Sequence, residues 1–364
     1  MAAAVGQPVE RREAIVAGAG PAGLAAAAVL KGRGFDVLVI ERGPAVAMRW
    51  RERYEGLRLN TMRVFSTLPG YRFGRRYGRY PRREDLVGYL ERYAANHGLA
   101  VRFETELHRV ERADDGGWRL ETGGGPLVAR YAVVATGYDA LPSMPDWPGR
   151  DGFAGELIHA SEFRAAAPYG GRDVLVVGAG NSGIDIAGHL LDAGARVSVS
   201  MRTPPNIFPR DWGRVPLQPL AIVGEYQPAK ISDAIGFLLQ RGIYGNLAGY
   251  GIPRAPEGHE SRFRRTLTGP AVDDGFVDAL KTGRTRVTAP IERFEGREVV
   301  LADQTRLTPD TVICATGYRR GLEPIVGHLD VLRPDGLPIC YKGAPALPAA
   351  PRLHFAGFWG GTGG

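Results

Sequence analysis

Two strand–turn–helix units, each with GxGxxG at its turn, and a tetrapeptide that occurs twice and brackets the second unit, predict an α/β fold. The implied architecture is two Rossmann-like dinucleotide-binding domains, one inserted into the other. In the first unit the apolar run Ala14 to Ala17 is a short strand that enters Gly18-Ala19-Gly20-Pro21-Ala22-Gly23. The Ala-rich helix Leu24 to Lys31 follows, and a second strand, Asp36 to Ile40, ends at Glu41. Gly18 permits the tight turn, Gly20 leaves room for a pyrophosphate against the backbone, and Gly23 lets the helix pack closely on the strand. The helix N-terminus attracts the phosphates. Glu41 can accept hydrogen bonds from both ribose hydroxyls.

The pattern returns with the strand Asp173 to Val177, the turn Gly178-Ala179-Gly180-Asn181-Ser182-Gly183, the helix Ile184 to Asp192 and the strand Arg196 to Ser200. When the units are aligned without a gap on Gly18 and Gly178, Glu41 falls on Met201 and Arg42 on Arg202. The second unit lacks the ribose acid and keeps a cation beside its place. A carboxylate there repels a 2′-phosphate, whereas an arginine pairs with it. The first unit is therefore expected to bind FAD through Gly18, Gly20, Pro21, Ala22, Gly23, Glu41 and Arg42. The second is expected to bind NADPH in preference to NADH through Gly178, Gly180, Asn181, Ser182, Gly183 and Arg202. For Arg202 the alternative is a surface charge that follows a strand.

Between and after the turns, Leu86 to Asn96 predicts an amphipathic helix, and Val101 to Arg112 and Trp118 to Thr122 predict strands. Arg130 to Ala135 predicts a strand that ends in Thr136-Gly137-Tyr138, and Thr311 to Ala315 one that ends in Thr316-Gly317-Tyr318. The two Ala-Thr-Gly-Tyr copies make Thr136, Gly137, Thr316 and Gly317 further cofactor-contact candidates. The Pro-rich stretch Leu141 to Gly149 reads as a domain crossing. Expected boundaries are 1–165 for the first part of the FAD domain, 166–318 for the NADPH domain and 319–364 for the return of the FAD domain. Residues 204–263, rich in Pro, Gly and aromatics, are expected to form an irregular insertion with one helix at Ile231 to Leu239, long enough to shape a substrate site.

A chain of 364 residues with 44% apolar and 23% charged residues suits two soluble domains. No apolar run approaches the roughly 20 residues of a membrane span, and Met1 to Arg12 does not read as a secretion signal. Cys314 and Cys340 form no CxxC and no metal-ligand spacing, so a reduced cytoplasmic compartment and no metal are expected. The net charge of +7 is carried almost wholly by arginine. With the Ala and Gly bias, this suggests a GC-rich bacterial genome. Arg49 to Arg53 and Arg72 to Arg83 read as solvated faces, since no nucleic-acid motif accompanies them. The expected partners are a small-molecule substrate and dioxygen, with no nucleic acid and no membrane. Self-association as a homo-oligomer stays open.

With these residues in place, the sequence resembles the class B flavin-dependent monooxygenases over essentially its whole length. Phe153-x-Gly155-x-x-x-His159-x-x-x-Phe163 fits the family fingerprint FxGxxxHxxx(Y/F). Phe163 followed by Arg164 favours the N- or S-oxygenating and plant auxin-type branch, although Arg164 replaces the usual Lys or Pro. The Gly-Asn-Ser-Gly turn and Asn206-Ile207-Phe208-Pro209-Arg210 look most like the auxin-type enzymes and their bacterial relatives. The resemblance implies that NADPH reduces FAD, that the reduced flavin forms a C4a-hydroperoxide with dioxygen, and that one oxygen atom passes to a small organic substrate. That step is oxygenation at nitrogen or sulfur, or oxidation of an activated carbonyl such as a 2-oxo acid. The cofactors carry the chemistry, which agrees with the lack of a Ser–His–Asp set, a paired-carboxylate motif or a metal cluster in the sequence.

The segment Leu59-Asn60-Thr61-Met62-Arg63 resembles the family segment whose Asn faces the oxygen-reacting edge of the flavin. Asn60 is thus the catalytic candidate, as a hydrogen-bond donor, and a turn or capping Asn is the alternative. Arg63 is a candidate for a cofactor phosphate. His159 is a candidate to position NADPH or to bridge the domains, against a purely structural role. Arg210, Arg214, Arg241 and Arg254 are candidate anchors for a substrate carboxylate or, equally, solvated charges. Leu353 to Phe358 predicts the last strand of the FAD domain, and Trp359 to Gly364 the glycine turn that meets the flavin. Family members continue into a further helix, whereas this chain stops at Gly364, which implies truncation or reduced flavin affinity. The competing readings are an NADPH-dependent flavoprotein reductase, which needs a CxxC or another electron acceptor, and a non-catalytic NADPH- or redox-sensing module.

Overall fold

The computed structural model describes residues 9–340 and 347–358. These residues fall into two compact units. Of the described residues, the first takes 9–52, 66–141, 318–340 and 347–358, and the second takes 53–65 and 142–317.

The first unit contains β1 (Glu10–Ala17), α1 (Pro21–Gly32), β2 (Val37–Ile40), α2 (Arg83–Asn96), β3 (Ala100–Arg102), β4 (Leu107–Arg112), β5 (Trp118–Thr122) and β6 (Leu127–Val134). Its sheet runs in the order β3-β2-β1-β6-β5-β4. β1 lies parallel to both β2 and β6, so the chain reverses its winding direction at the end of β1. The return strand Leu353–Phe355 pairs with the C-terminal part of β6, and β5 pairs with its N-terminal part. The helix α2 buries Leu86, Val87, Leu90, Tyr93 and Ala94, a stripe with helical spacing. Trp118 is fully buried, and its indole N–H donates to the Pro351 carbonyl at 2.9 Å, which satisfies the ring's only polar atom.

One expected strand is two. Val101 to Arg112 divides into β3 and β4, which occupy opposite edges of the sheet. Between them Glu104 takes a φ of 52°, and the Glu104 and Thr105 amides donate to the Gly43 and Glu41 carbonyls rather than to a ladder.

The second unit contains β7 (Glu156–His159), β8 (Asp173–Val177), α3 (Asn181–Asp192), β9 (Arg196–Ser200), β10 (Ile207–Pro209), α4 (Gln218–Glu225), α5 (Ala229–Tyr244), α6 (His259–Thr266), β11 (Ala271–Asp273), α7 (Phe276–Lys281), β12 (Thr285–Thr288), β13 (Ile291–Glu295), β14 (Glu298–Leu301), β15 (Arg306–Leu307) and β16 (Thr311–Cys314). The main sheet is all parallel, in the order β12-β9-β8-β16-β7. The buried runs of β8 and β16 are continuous and apolar, as a sheet covered on both faces requires.

Two stretches assigned by sequence to the FAD domain are found with this unit. β7 hydrogen-bonds along β16, in the register Thr311 to Glu156 through Cys314 to His159. The short segment 53–65 belongs to the same compact unit. The insertion is also more regular than expected. It holds three helices, α4 to α6, and the helix expected at Ile231 to Leu239 extends over Ala229–Tyr244. Its prolines punctuate rather than disrupt, with Pro219 in the first turn of α4 and Pro228 as the N-cap of α5.

A Cβ built on Gly183 would lie 1.8 Å from the Gly178 carbonyl oxygen, which is backbone and cannot swing aside. Gly183→Ala is therefore expected to destabilise the apoprotein by about 1–3 kcal/mol. A thermal unfolding curve should show a midpoint lower by about 2–4 °C for each kcal/mol.

Candidate functional site

The two glycine turns are built alike, atom for atom along the backbone. Gly18 N donates to Ile40 O at 2.7 Å and Gly178 N to Ser200 O at 2.8 Å. Ala135 N donates to Ala17 O, and Ala315 N to Val177 O, both at 2.8 Å. Gly18 and Gly178 have φ of +114° and +103°, and a Cβ on either would strike the carbonyl of Ala135 or Ala315. The N-caps Gly20 and Gly180 are extended, with φ of −83° and −79°. A Cβ on Gly20 or Gly180 meets nothing within 4 Å. The open space lies over two helix N-termini whose first amides have no partner within the helix, which fits a dinucleotide pyrophosphate at each turn.

The ends of the second strands differ between the units. Glu41 is buried, and its carboxylate accepts from Ala19 N at 2.8 Å and from Gly43 N at 3.0 Å. Each oxygen keeps a further lone-pair direction for a ribose hydroxyl. In the second unit Met201 is buried, while Arg202 is exposed and makes no hydrogen bond or ion pair among the described residues. An exposed guanidinium without a partner among the described residues is compatible with a 2′-phosphate. Arg42 is likewise exposed, and Arg63 is half-buried.

The two Ala-Thr-Gly-Tyr copies diverge in their hydroxyls. Thr136 Oγ1 is shielded from solvent and has no partner among the described residues, a state that costs about 1–3 kcal/mol unless a ligand relieves it. Thr316 Oγ1 instead donates to the Ser143 carbonyl at 2.5 Å. His159 is 1% exposed. Its Nδ1 accepts from Ser161 N at 3.1 Å, so the proton sits on Nε2 and is donated to the Gly317 carbonyl at 3.1 Å. The ring thereby holds the turn that contains Gly317. The glycine turn expected at Trp359 to Gly364 lies outside the described residues.

The segment 53–65 is fastened to the rest of the second unit at several points. The Tyr54 hydroxyl donates to Asp185 on α3 at 2.6 Å, and its ring packs against Phe163 and His189. Glu55 N donates to Arg164 O at 2.8 Å, and Met62 N to the Gln218 side chain at 2.5 Å. Asn60 Oδ1 accepts from Arg210 Nη2 at 3.3 Å. Desolvation, and next the Asp185 charge, push the Tyr54 phenol far above its ordinary range, so it stays a donor.

Beside Asn60 opens a cavity of about 370 Å³ formed chiefly by the insertion. Its walls include Phe208, Leu220, Val223, Ile235, Leu239 and Phe263, and Asn60, Arg210 and Gln218 are among its polar lining. Asn181 also lines it. The Asn181 amide bridges Pro270 O and Val272 N and so ties β11 to the start of α3. His259 is held by burial below the usual imidazole range, despite Asp233 nearby, and lines the wall as a neutral ring. Of the four arginines expected as carboxylate anchors, only Arg210 lines the cavity. Tyr54, Asp185 and Gln218 were not singled out in the sequence, because a lone Tyr, a mid-helix Asp and a Gln at a helix start carry no spacing signal.

The sequence profile of the pyridine nucleotide-disulphide oxidoreductase family matches residues 15–212. An indole-3-pyruvate monooxygenase of Oryza sativa subsp. japonica, YUCCA1, is 36% identical over 319 residues, which cover 85% of this chain and 79% of the rice protein. The chain belongs to this oxidoreductase family and, within it, to the YUCCA-type flavin monooxygenases. A flavin-containing monooxygenase from Stenotrophomonas maltophilia has the same fold, with a TM-score of 0.72 at 21% identity over 98% of this chain and 92% of that one. A bacillithiol disulfide reductase from Staphylococcus aureus also shares it, with a TM-score of 0.67 at 19% identity over 95% and 90% of the two chains. This flavin monooxygenase is an enzyme that uses FAD and NADPH, and the two expected Rossmann-type domains are present. Among the described residues no helix is long and apolar enough to cross a membrane, and no His, Cys, Asp or Glu cluster could hold a metal. Of the two cysteines, Cys314 is buried, which pushes its thiol up to about 12, and Cys340 is half-buried; the chain has no CxxC.

Because a side chain at Gly20 meets open space, Gly20→Val is expected to leave the fold intact while it fills the place of a pyrophosphate. The purified variant should unfold at the wild-type temperature and lack flavin absorbance. A folded variant with one FAD per chain would exclude the first turn as the FAD site.

Proposed function

We propose that this monooxygenase oxidises a 2-oxo acid with a flat apolar side chain, indole-3-pyruvate being the first to test. The single observation that carries the reading is the cavity beside Asn60, whose lining is largely aromatic and aliphatic with Asn60, Arg210 and Gln218 among its polar groups. Its volume of about 370 Å³ falls within the ~300–1,000 Å³ of small-molecule sites. The relative that is 36% identical is named for that substrate. The reaction balances as 2-oxo acid, dioxygen, NADPH and a proton giving the shortened carboxylic acid, carbon dioxide, water and NADP⁺. The C1–C2 bond breaks, one oxygen atom enters the new carboxyl group, and the other leaves as water.

In this reading FAD, when bound, supplies the redox and oxygen chemistry. Gly18, Gly20, Pro21, Ala22 and Gly23 cradle its pyrophosphate, Glu41 its ribose, and Thr136 gains a partner for its shielded hydroxyl. Gly178, Gly180, Ser182 and Gly183 cradle the pyrophosphate of NADPH, and Arg202 pairs with the 2′-phosphate. Asn181 contributes indirectly, since its amide is engaged with β11. His159 holds the Gly317 turn rather than the nucleotide. Asn60 supplies a hydrogen-bond donor to the oxygen chemistry. Arg210 already faces Asp274 and Asp185, so the substrate is held mainly by its apolar body. The arginine-rich composition and the two reduced cysteines support a bacterial, cytoplasmic enzyme.

Two measurements test this. Arg202→Glu should lower the preference for NADPH over NADH in flavin reduction by about tenfold or more, equivalent to about 1.4 kcal/mol. An unchanged preference would leave Arg202 as a surface charge. A panel of 2-oxo acids, amines, thioethers and ketones, with NADPH and oxygen, should give product without matching hydrogen peroxide only for the 2-oxo acids. Burial of an indole ring is worth about 2–3 kcal/mol, so indole-3-pyruvate should exceed pyruvate by roughly a hundredfold in kcat/KM. Coupled turnover of amines or thioethers alone would overturn the substrate assignment and leave the monooxygenase standing.

A further inference from the structure

Asn60 is exposed, and a free amide can offer either its oxygen or its nitrogen to a given neighbour. Here the neighbour decides. The guanidinium of Arg210 has five donors and no acceptor. The group it meets at 3.3 Å is accordingly the amide oxygen, Asn60 Oδ1. With the oxygen engaged, the two N–H groups of Asn60 are what remain to offer a ligand.

Arg210 is itself held in place. Its side chain is only 9% exposed, its Nη1 is paired with Asp274, and its Nη2 lies 4.0 Å from Asp185 Oδ1. Asp185 uses its other oxygen to accept the Tyr54 hydroxyl at 2.6 Å. Tyr54 and Asn60 lie on the same segment, 53–65, so that segment is fastened at one end by Asp185 and at the other by the arginine beside it. Asp185 stands on α3, the helix that starts at the second glycine turn.

We propose that Asp185 and Arg210 are positioning residues, which hold the Asn60 amide with its oxygen toward the guanidinium and its N–H groups free to serve the monooxygenase reaction. This rests on the reading that Asn60 acts as a donor in the oxygen chemistry. Neither Asp185 nor Arg210 needs to touch a reacting atom. Their contribution is to remove the alternative in which the amide presents a lone pair and the donor is turned away.

The experiment measures product formed against hydrogen peroxide released, in the FAD-loaded enzyme with NADPH, oxygen and saturating amounts of the best substrate of the panel above. Each variant is checked for FAD content and unfolding temperature. Asn60→Ala should lower the product-to-peroxide ratio by about tenfold or more. Arg210→Met, which has no N–H to offer the amide oxygen, and Asp185→Asn should lower it in the same direction. Added to Asn60→Ala, Arg210→Met should change it by less than about twofold, because its effect passes through the amide. Asn60→Asp controls for misfolding. It keeps an oxygen for Arg210 and has no N–H, so the ratio should fall while the unfolding temperature holds. If Asn60→Ala lowers the ratio and Arg210→Met does not, or if the two losses multiply in the double variant, the positioning role is overturned alone. A wild-type ratio in Asn60→Ala overturns the donor reading of Asn60, and this inference with it.

Discussion

A carbonyl oxygen fixes most of what this molecule can do. In each unit the first glycine of the turn points its C=O at the third, and the distance to the nearest position for a Cβ is 1.9 Å at Gly23 and 1.8 Å at Gly183. No side chain fits. The helix can therefore seat its N-terminus against the end of the central strand and aim its free amides at one spot. The sheet order, with β1 and β8 flanked on both sides by parallel neighbours, opens a crevice at that same spot. Phosphate recognition thus follows from backbone geometry alone, and the side chains around it are left to discriminate. Glu41 in one unit and Met201 with Arg202 in the other are the residues proposed to make that discrimination.

This also explains what could be read in advance. The glycine turns, their flanking strands and helices, and the acid-for-arginine difference are local, because each depends on residues within a short window. The strands Asp173–Val177 and Arg196–Ser200 were read to the residue. Harder were features decided by distant partners. Val101 to Arg112 has one continuous β pattern, yet the Glu41 and Gly43 carbonyls draw its middle out of the ladder. The stretch before residue 166 carries a fingerprint motif but no sign that β7 would choose β16. The insertion looked irregular because its prolines and glycines are frequent, and their positions at helix starts became visible only in three dimensions. At the site, Asn60 was legible as part of a motif. Its contact with Arg210, which in turn approaches Asp185, was not, since those residues follow it at separations no pattern encodes.

The side chains found near Asn60 perform little chemistry of their own. Asp185 accepts, Tyr54 donates, Arg210 holds charge of one sign between carboxylates, and His259 is kept neutral by burial. None is poised as a nucleophile or a general base. The arrangement suits an enzyme whose electrons and oxygen arrive with its cofactors, where the polypeptide contributes shape, dryness and the direction of a few N–H bonds.

The segment 53–65 has a practical corollary for anyone who wishes to isolate the NADPH-binding half. Its remaining residues form a continuous stretch, 142–317, which invites recombinant expression as a fragment. That fragment would leave out Tyr54 and Met62. Phe163 and His189 would lose the ring packed on them, and the Asp185 carboxylate and the Gln218 amide would lose their hydrogen bonds. Keeping those contacts calls for the excluded peptide to be grafted back through a linker or supplied in trans, so the boundary of this compact unit is not a pair of cut points on the chain.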